Sequence, residues 1–108
     1  MKRSFYIAGV QFRPRDEILT TAKELNEGDV LILEPEPTNK YDPNAVKILT
    51  EEGIFLGYVP KKFSSEISAM LQIDENLECI IDIVDPAVEL WEMFKVTIRD
   101  IPSEEGEF

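Results

Sequence analysis

The residues best equipped for chemistry lie in one loop and at the start of one helix. Tyr41 and Asp42 stand side by side in Glu36-Pro37-Thr38-Asn39-Lys40-Tyr41-Asp42-Pro43, and Lys61 and Lys62 follow Pro60. A tyrosine offers a π-face for a planar ring, a carboxylate accepts hydrogen bonds from a hydroxyl, and lysines attract anions. Prolines at both ends of the loop fix φ and narrow its conformations before any partner arrives. Tyr6, Tyr58, Trp91 and Phe94 supply further aromatic surface. Each residue also has a plain structural reading. Tyr41-Asp42-Pro43 reads equally as a turn, with Asp42 accepting backbone N–H groups and Tyr41 packing over the loop. Tyr6 and Tyr58 suit core-facing strand positions, the lysines a solvated surface, and Trp91 a packed position or subunit contact.

The same residues are poorly suited to catalysis. The chain has no histidine, which removes the commonest general base near neutral pH and the usual metal ligand. One cysteine rules out an internal disulfide and the ordinary zinc sites, and Cys79 within LECIIDI reads as a small core residue. Neither G-x-x-x-x-G-K-[ST] nor G-x-G-x-x-G occurs, so no loop is built to cradle a nucleotide's phosphates. Asp82, Asp85, Glu89 and Glu92 around one hairpin imitate a magnesium site, but alternation turns Asp82 and Glu92 to solvent. A solvated acidic surface is the expectation there. No enzyme, metal or cofactor is expected.

Charge sets a further condition. Eleven basic and 22 acidic residues give a net charge of −11 over 108 residues, which disfavours broad electrostatic attraction to nucleic acid or anionic membranes. The imbalance is uneven: residues 1–62 hold nine Lys/Arg against ten Asp/Glu, and residues 63–108 hold two against twelve. An anion-facing surface is therefore expected only in the first part. No apolar run approaches the ~18 residues of a membrane span, and no leader is evident at the N-terminus. A soluble, cytoplasmic protein is expected.

These residues need a scaffold, and the hydrophobic pattern supplies one. Residues 4–11 read as a first strand, with Gly9 marking a bulge or close backbone approach. Residues 14–25 carry Ile18, Ala22 and Leu25 on one helical stripe, and 29–34 form a second strand. Residues 44–50 and 54–59 make a hairpin through Glu51-Glu52-Gly53. Pro60 opens an amphipathic helix to residue 72, with Phe63, Ile67, Met70 and Leu71 inward. Leu77–Val84 places Leu77, Cys79, Ile81 and Ile83 on one face. Residues 90–99 place Phe94, Val96 and Ile98 on one face and Trp91, Met93, Lys95, Thr97 and Arg99 on the other. Six strands and two short helices predict a mainly β fold, a small, partly closed six-stranded barrel over residues 1–101, followed by an acidic, frayed tail over 102–108.

Three segments carry a family resemblance: Ala8-Gly9-Val10-Gln11-Phe12, the loop and strand from Glu34 to Ile48, and Gly57-Tyr58-Val59-Pro60-Lys61. In this order they resemble the signature of the HIRAN domain over about residues 4–72, with weaker agreement through the last two strands. HIRAN domains occur attached to DNA-repair translocases and nucleases and as short independent proteins. The resemblance implies a barrel related to OB and SH3-like folds that captures the 3′ end of single-stranded DNA. It implies that Tyr6 stacks on a base, that Tyr41 and Asp42 hold the terminal nucleotide and its 3′-hydroxyl, and that Lys61 meets a phosphate, with Lys62 adding charge. Trp91 or Phe94 would supply a further aromatic. One departure stands out: the position before Tyr6, an arginine in well-known binders, is Phe5 here, and Arg3 replaces its charge only if the strand end bends back. The expectation is thus a non-catalytic single-stranded DNA end-binding module. The alternative is a protein-interaction or self-associating module using a strand edge and the Trp91/Met93 face.

Overall fold

Alternation decides which way each strand of the central hairpin faces. In the computed structural model, which describes residues 1–73 and 76–101, Val46 and Ile48 are fully buried while Lys47 and Leu49 lean outward. Their strand, β3 (Val46–Leu49), pairs with β2 (Val30–Pro35) on one side and β4 (Phe55–Tyr58) on the other. With β1 (Lys2–Tyr6), β5 (Leu77–Val84) and β6 (Phe94–Asp100), the strands run in the order β1-β6-β5-β2-β3-β4, every pair antiparallel. The sheet curls until its ends meet. Ala8, just beyond β1, donates its N–H to the Tyr58 carbonyl at 2.9 Å and accepts the Tyr58 N–H at 2.8 Å. This bridge makes the sheet a partly closed barrel with two helices. Closure depends on Gly57, because a Cβ there would be driven into the Ala8 carbonyl oxygen and the Ile7 side chain.

The helices cover this curled sheet. Helix α1 (Arg15–Glu24) buries Ile18, Thr21 and Ala22. Helix α2 (Lys61–Gln72) begins after Pro60, whose missing N–H costs nothing there, and buries Ser64, Ile67 and Ser68. Phe63 on α2 packs against Phe5 on β1 with ring centroids 5.7 Å apart. The core gathers Phe5 from β1 and apolar side chains from every other strand, together with Met93, Ile18 and Ile67. Among the described residues, no helix is long and apolar enough to cross a membrane.

Three local expectations are corrected. The first strand ends at Tyr6, because Gly9 adopts φ 76° and turns the chain into a 3₁₀ turn over Val10–Phe12. The last strand likewise starts at Phe94, after a 3₁₀ turn over Leu90–Glu92. Met93 is therefore fully buried, Thr97 is buried as well, and no Trp91/Met93 surface exists. In β5 the register shifts between Ile81 and Ile83, so Ile83 turns outward and is 43% exposed. Asp82, the extra residue, accepts the Thr97 hydroxyl at 2.6 Å, and Asp85 accepts the Ala87 N–H. Among the described residues no group of acids is placed to hold a metal. The tail expected over 102–108 lies outside the described residues.

Candidate functional site

The proline-bounded loop is held by its own side chains. Asn39 Oδ1 accepts the backbone N–H groups of Tyr41 at 2.8 Å and Asp42 at 3.0 Å, so it sets the turn. Asn39 Nδ2 in turn donates to Glu36 Oε1 at 2.7 Å, and the Tyr58 hydroxyl donates to the same oxygen at 2.8 Å. The Lys47 ammonium lies 3.6 Å from Glu36 Oε2. The far end is tied to α2: Asp42 Oδ2 accepts the Ser64 hydroxyl at 2.7 Å, while Oδ1 accepts the Asn44 N–H at 2.9 Å. The loop is thus fastened to β3, β4 and α2. Tyr41, by contrast, is 88% exposed.

Beside the loop lies a groove of about 300 Å³. Ala8, Ala45 and Val59 make an apolar floor, with Ala45 and Val59 buried. Phe12 and Tyr41 line it as its two most exposed aromatics, Phe12 being 81% exposed, and Asp42 and Lys61 supply its charge. The size is at the small end of ligand sites, and the makeup, apolar with a few convergent polar groups, is typical of them. Exposed aromatic faces can meet a planar ring, and a carboxylate can accept a hydroxyl. Asp42 uses two of roughly four lone-pair directions on Ser64 and Asn44, leaving acceptor capacity.

The electrostatics follow from these contacts. The Ser64 hydroxyl, then the Asn44 N–H, hold the Asp42 carboxyl below its ordinary value, with Lys61 adding to the effect. Asp42 is therefore a charged acceptor at neutral pH. Glu36 is also lowered, by Asn39 first and then Tyr58, with Lys47 contributing. Burial, together with Glu36 beside it, raises the Tyr58 phenol, which stays a neutral donor. The thiol of Cys79 is buried and pushed up to about 12, chiefly by desolvation and further by Asp82. It takes no part in the groove.

Of the residues singled out from sequence, the fold brings Tyr41, Asp42 and Lys61 to this groove and leaves Tyr6, Lys62 and Trp91 outside its lining. Tyr6 sits opposite Lys95 on the face away from Phe5, with the Lys95 ammonium 6.0 Å from its ring centroid. Lys62 is exposed, its ammonium 5.1 Å from the Phe63 ring. Between the late aromatics, Phe94 is buried and Trp91 is 53% exposed on the turn next to Val10–Phe12. Phe5 is buried, and Arg3 is held by Glu66 through two hydrogen bonds of 2.9 and 2.8 Å, so neither lines the groove. Sequence reasoning missed Phe12, which it placed just past a strand end. The available signal was Gly9 followed closely by Pro14, which together leave room for a turn that exposes an aromatic. Ser64 gave no local signal.

The chain is thus a curled, partly closed β-barrel with an aromatic groove beside a proline-bounded loop, and comparison with known proteins identifies its family. A family model of the HIRAN domain matches residues 3–96. The chain belongs to the HIRAN domain family. No curated protein matches the sequence. Among solved structures, a protein from Lactobacillus plantarum is similar with a TM-score of 0.75 at 18% identity, over 91% of this chain and 95% of that one. The crystal structure of the HIRAN domain of human HLTF is similar with a TM-score of 0.70 at 15% identity, over 96% of this chain and 78% of that one. The NMR structure of the HLTF HIRAN domain gives a TM-score of 0.55 at 19% identity, over 95% and 78%. At these identities the likeness concerns the fold.

Proposed function

We propose that this HIRAN domain is a non-catalytic module that captures the 3′ end of single-stranded DNA in the groove between Phe12 and Tyr41. One observation carries the reading: two highly exposed aromatics line the same groove as an ionised, anchored carboxylate and a lysine. Each base stacked on an aromatic is worth about 1–3 kcal/mol without sequence preference. Asp42 repels phosphate but accepts a hydroxyl, so it favours a free end over an internal ester. Lys61, at the start of α2, offsets that repulsion for the adjoining phosphate. The net charge of −11 is compatible with such a local contact. At physiological salt, charges beyond about 8 Å are largely screened, and the groove lining holds one acid and one base.

Fluorescence anisotropy with a short oligonucleotide tests this, comparing a free 3′-hydroxyl with a 3′-phosphate for the wild type and Tyr41→Ala. Binding that needs both the hydroxyl and Tyr41 is expected. Equal affinity for the phosphorylated end removes the role given to Asp42. Absence of binding at high micromolar protein overturns the reading in favour of a protein partner or self-association, for which a concentration-dependent sedimentation shift abolished by Trp91→Ala is the positive sign.

A further inference from the structure

A captured end must have a path by which the rest of the strand leaves, and one cation stands beside the groove without lining it. Arg13 follows Phe12 directly, and its backbone N–H is anchored to the Val10 carbonyl at 3.0 Å. Its guanidinium lies over the Phe55 ring, 4.1 Å from the centroid. Phe55 in turn meets Tyr58, a groove residue, edge to face at 5.2 Å. Arg13 therefore stands one aromatic layer from the site.

Arg13 is also uncommitted. Its Nε is buried without a hydrogen-bond partner, and it joins none of the ion pairs among the described residues. Lys47 lies over the same ring at 5.0 Å, but Glu36 already partners it. Lys61 shares the groove lining with Asp42. With Nε buried, the two terminal Nη groups are left to meet an acceptor, and a guanidinium presents them to a phosphate as a pair. The contact with the ring also removes rotamer freedom that binding would otherwise have to freeze.

We propose that Arg13, held over Phe55, grips a phosphodiester of the strand whose 3′ end fills the groove, so that the strand leaves past Phe12. This rests on the end-binding reading above. It makes the ligand an oligonucleotide with a defined direction of exit, since a lone nucleoside has no phosphodiester for Arg13 to hold. It also gives the domain a phosphate contact on residues that neither Phe5 nor Arg3 provides.

The test is anisotropy binding of oligonucleotides in which one linkage at a time, near the 3′ end, is replaced by an uncharged methylphosphonate. For the wild type, one linkage is expected to show a clear penalty. Arg13→Gln is expected to weaken the all-phosphate oligonucleotide roughly tenfold or more, reduce the magnitude of the log–log salt slope by about 0.7, and abolish that single penalty. Lys62→Gln is expected to leave the penalty in place. Arg13→Lys is expected to keep most of the salt slope while losing affinity, because an ammonium lacks the fork. Wild-type affinity in Arg13→Gln, alongside a defect in Tyr41→Ala, overturns the assignment to Arg13 and leaves end binding standing. No binding by the wild type overturns both. Thermal melting of each variant separates a lost contact from a lost fold.

Discussion

Replacing Phe12 by alanine separates the groove from the strand face as the seat of stacking. Phe12 is 81% exposed, so its removal gives up little buried surface, and stability should change by no more than about 0.5 kcal/mol. A base that stacks on it contributes about 1–3 kcal/mol, so the affinity for a 3′-hydroxyl oligonucleotide should fall roughly 5- to 140-fold. Tyr6→Ala should bind like the wild type, because Tyr6 does not line the groove. Anisotropy titration gives the affinities, and a thermal melt of the same samples confirms folding. Combining Phe12→Ala with Tyr41→Ala adds geometry. If one base lies between the two rings, the losses couple, whereas successive bases give losses that add. Undiminished binding by Phe12→Ala together with a loss in Tyr6→Ala would refute the reasoning, since it would move stacking to the end of β1.

Three further outcomes are expected. Gly57→Ala pushes a Cβ into the Ala8 carbonyl at the closing bridge and should cost about 1–3 kcal/mol, lowering the melting temperature by roughly 4–8 °C per kcal/mol; an unchanged melt would mean that the barrel closes some other way. Asp42 has a lowered folded pKa, so its contribution to stability is present above the ordinary carboxylate value and is lost only as pH falls through the lowered one. Preference for a 3′-hydroxyl over a 3′-deoxy end, neither of which titrates in this range, should accordingly persist from pH 8 to pH 5, and its disappearance near pH 5 would show that Asp42 is not held in its charged form. Cys79, buried and with its thiol pushed up to about 12, should resist an aromatic disulfide reagent at pH 8 in the native protein and react after denaturation.

Local pattern made much of this protein legible before its structure. The alternation in residues 44–50 and 54–59, the turn between them, and the helical stripes of Ile18/Ala22 and Phe63/Ile67 all mark elements whose periods of 2 or 3.6 arise within a few residues. Two prolines marked the loop that carries Tyr41 and Asp42. Where the period was interrupted, the same reasoning lost phase. The left-handed Gly9 ended β1 early and turned Phe12 outward, the bulge at Asp82 rotated Ile83 to the surface, and the turn at Leu90–Glu92 sent Met93 inward. A single-residue offset reverses every later side chain, and composition does not announce it.

Residue types and short-range order were therefore written in the sequence: an aromatic, acid and lysine set on a small β-rich framework of the HIRAN family. Their arrangement around one groove was decided by tertiary structure. Ser64 meets Asp42 across 22 residues, Tyr58 meets Glu36 across the same interval, and Arg13 reaches Phe55 only because Ala8 closes the barrel against Tyr58. Such contacts depend on how a twisted sheet curls and where its ends meet, which is set by packing over the whole core rather than by any local window.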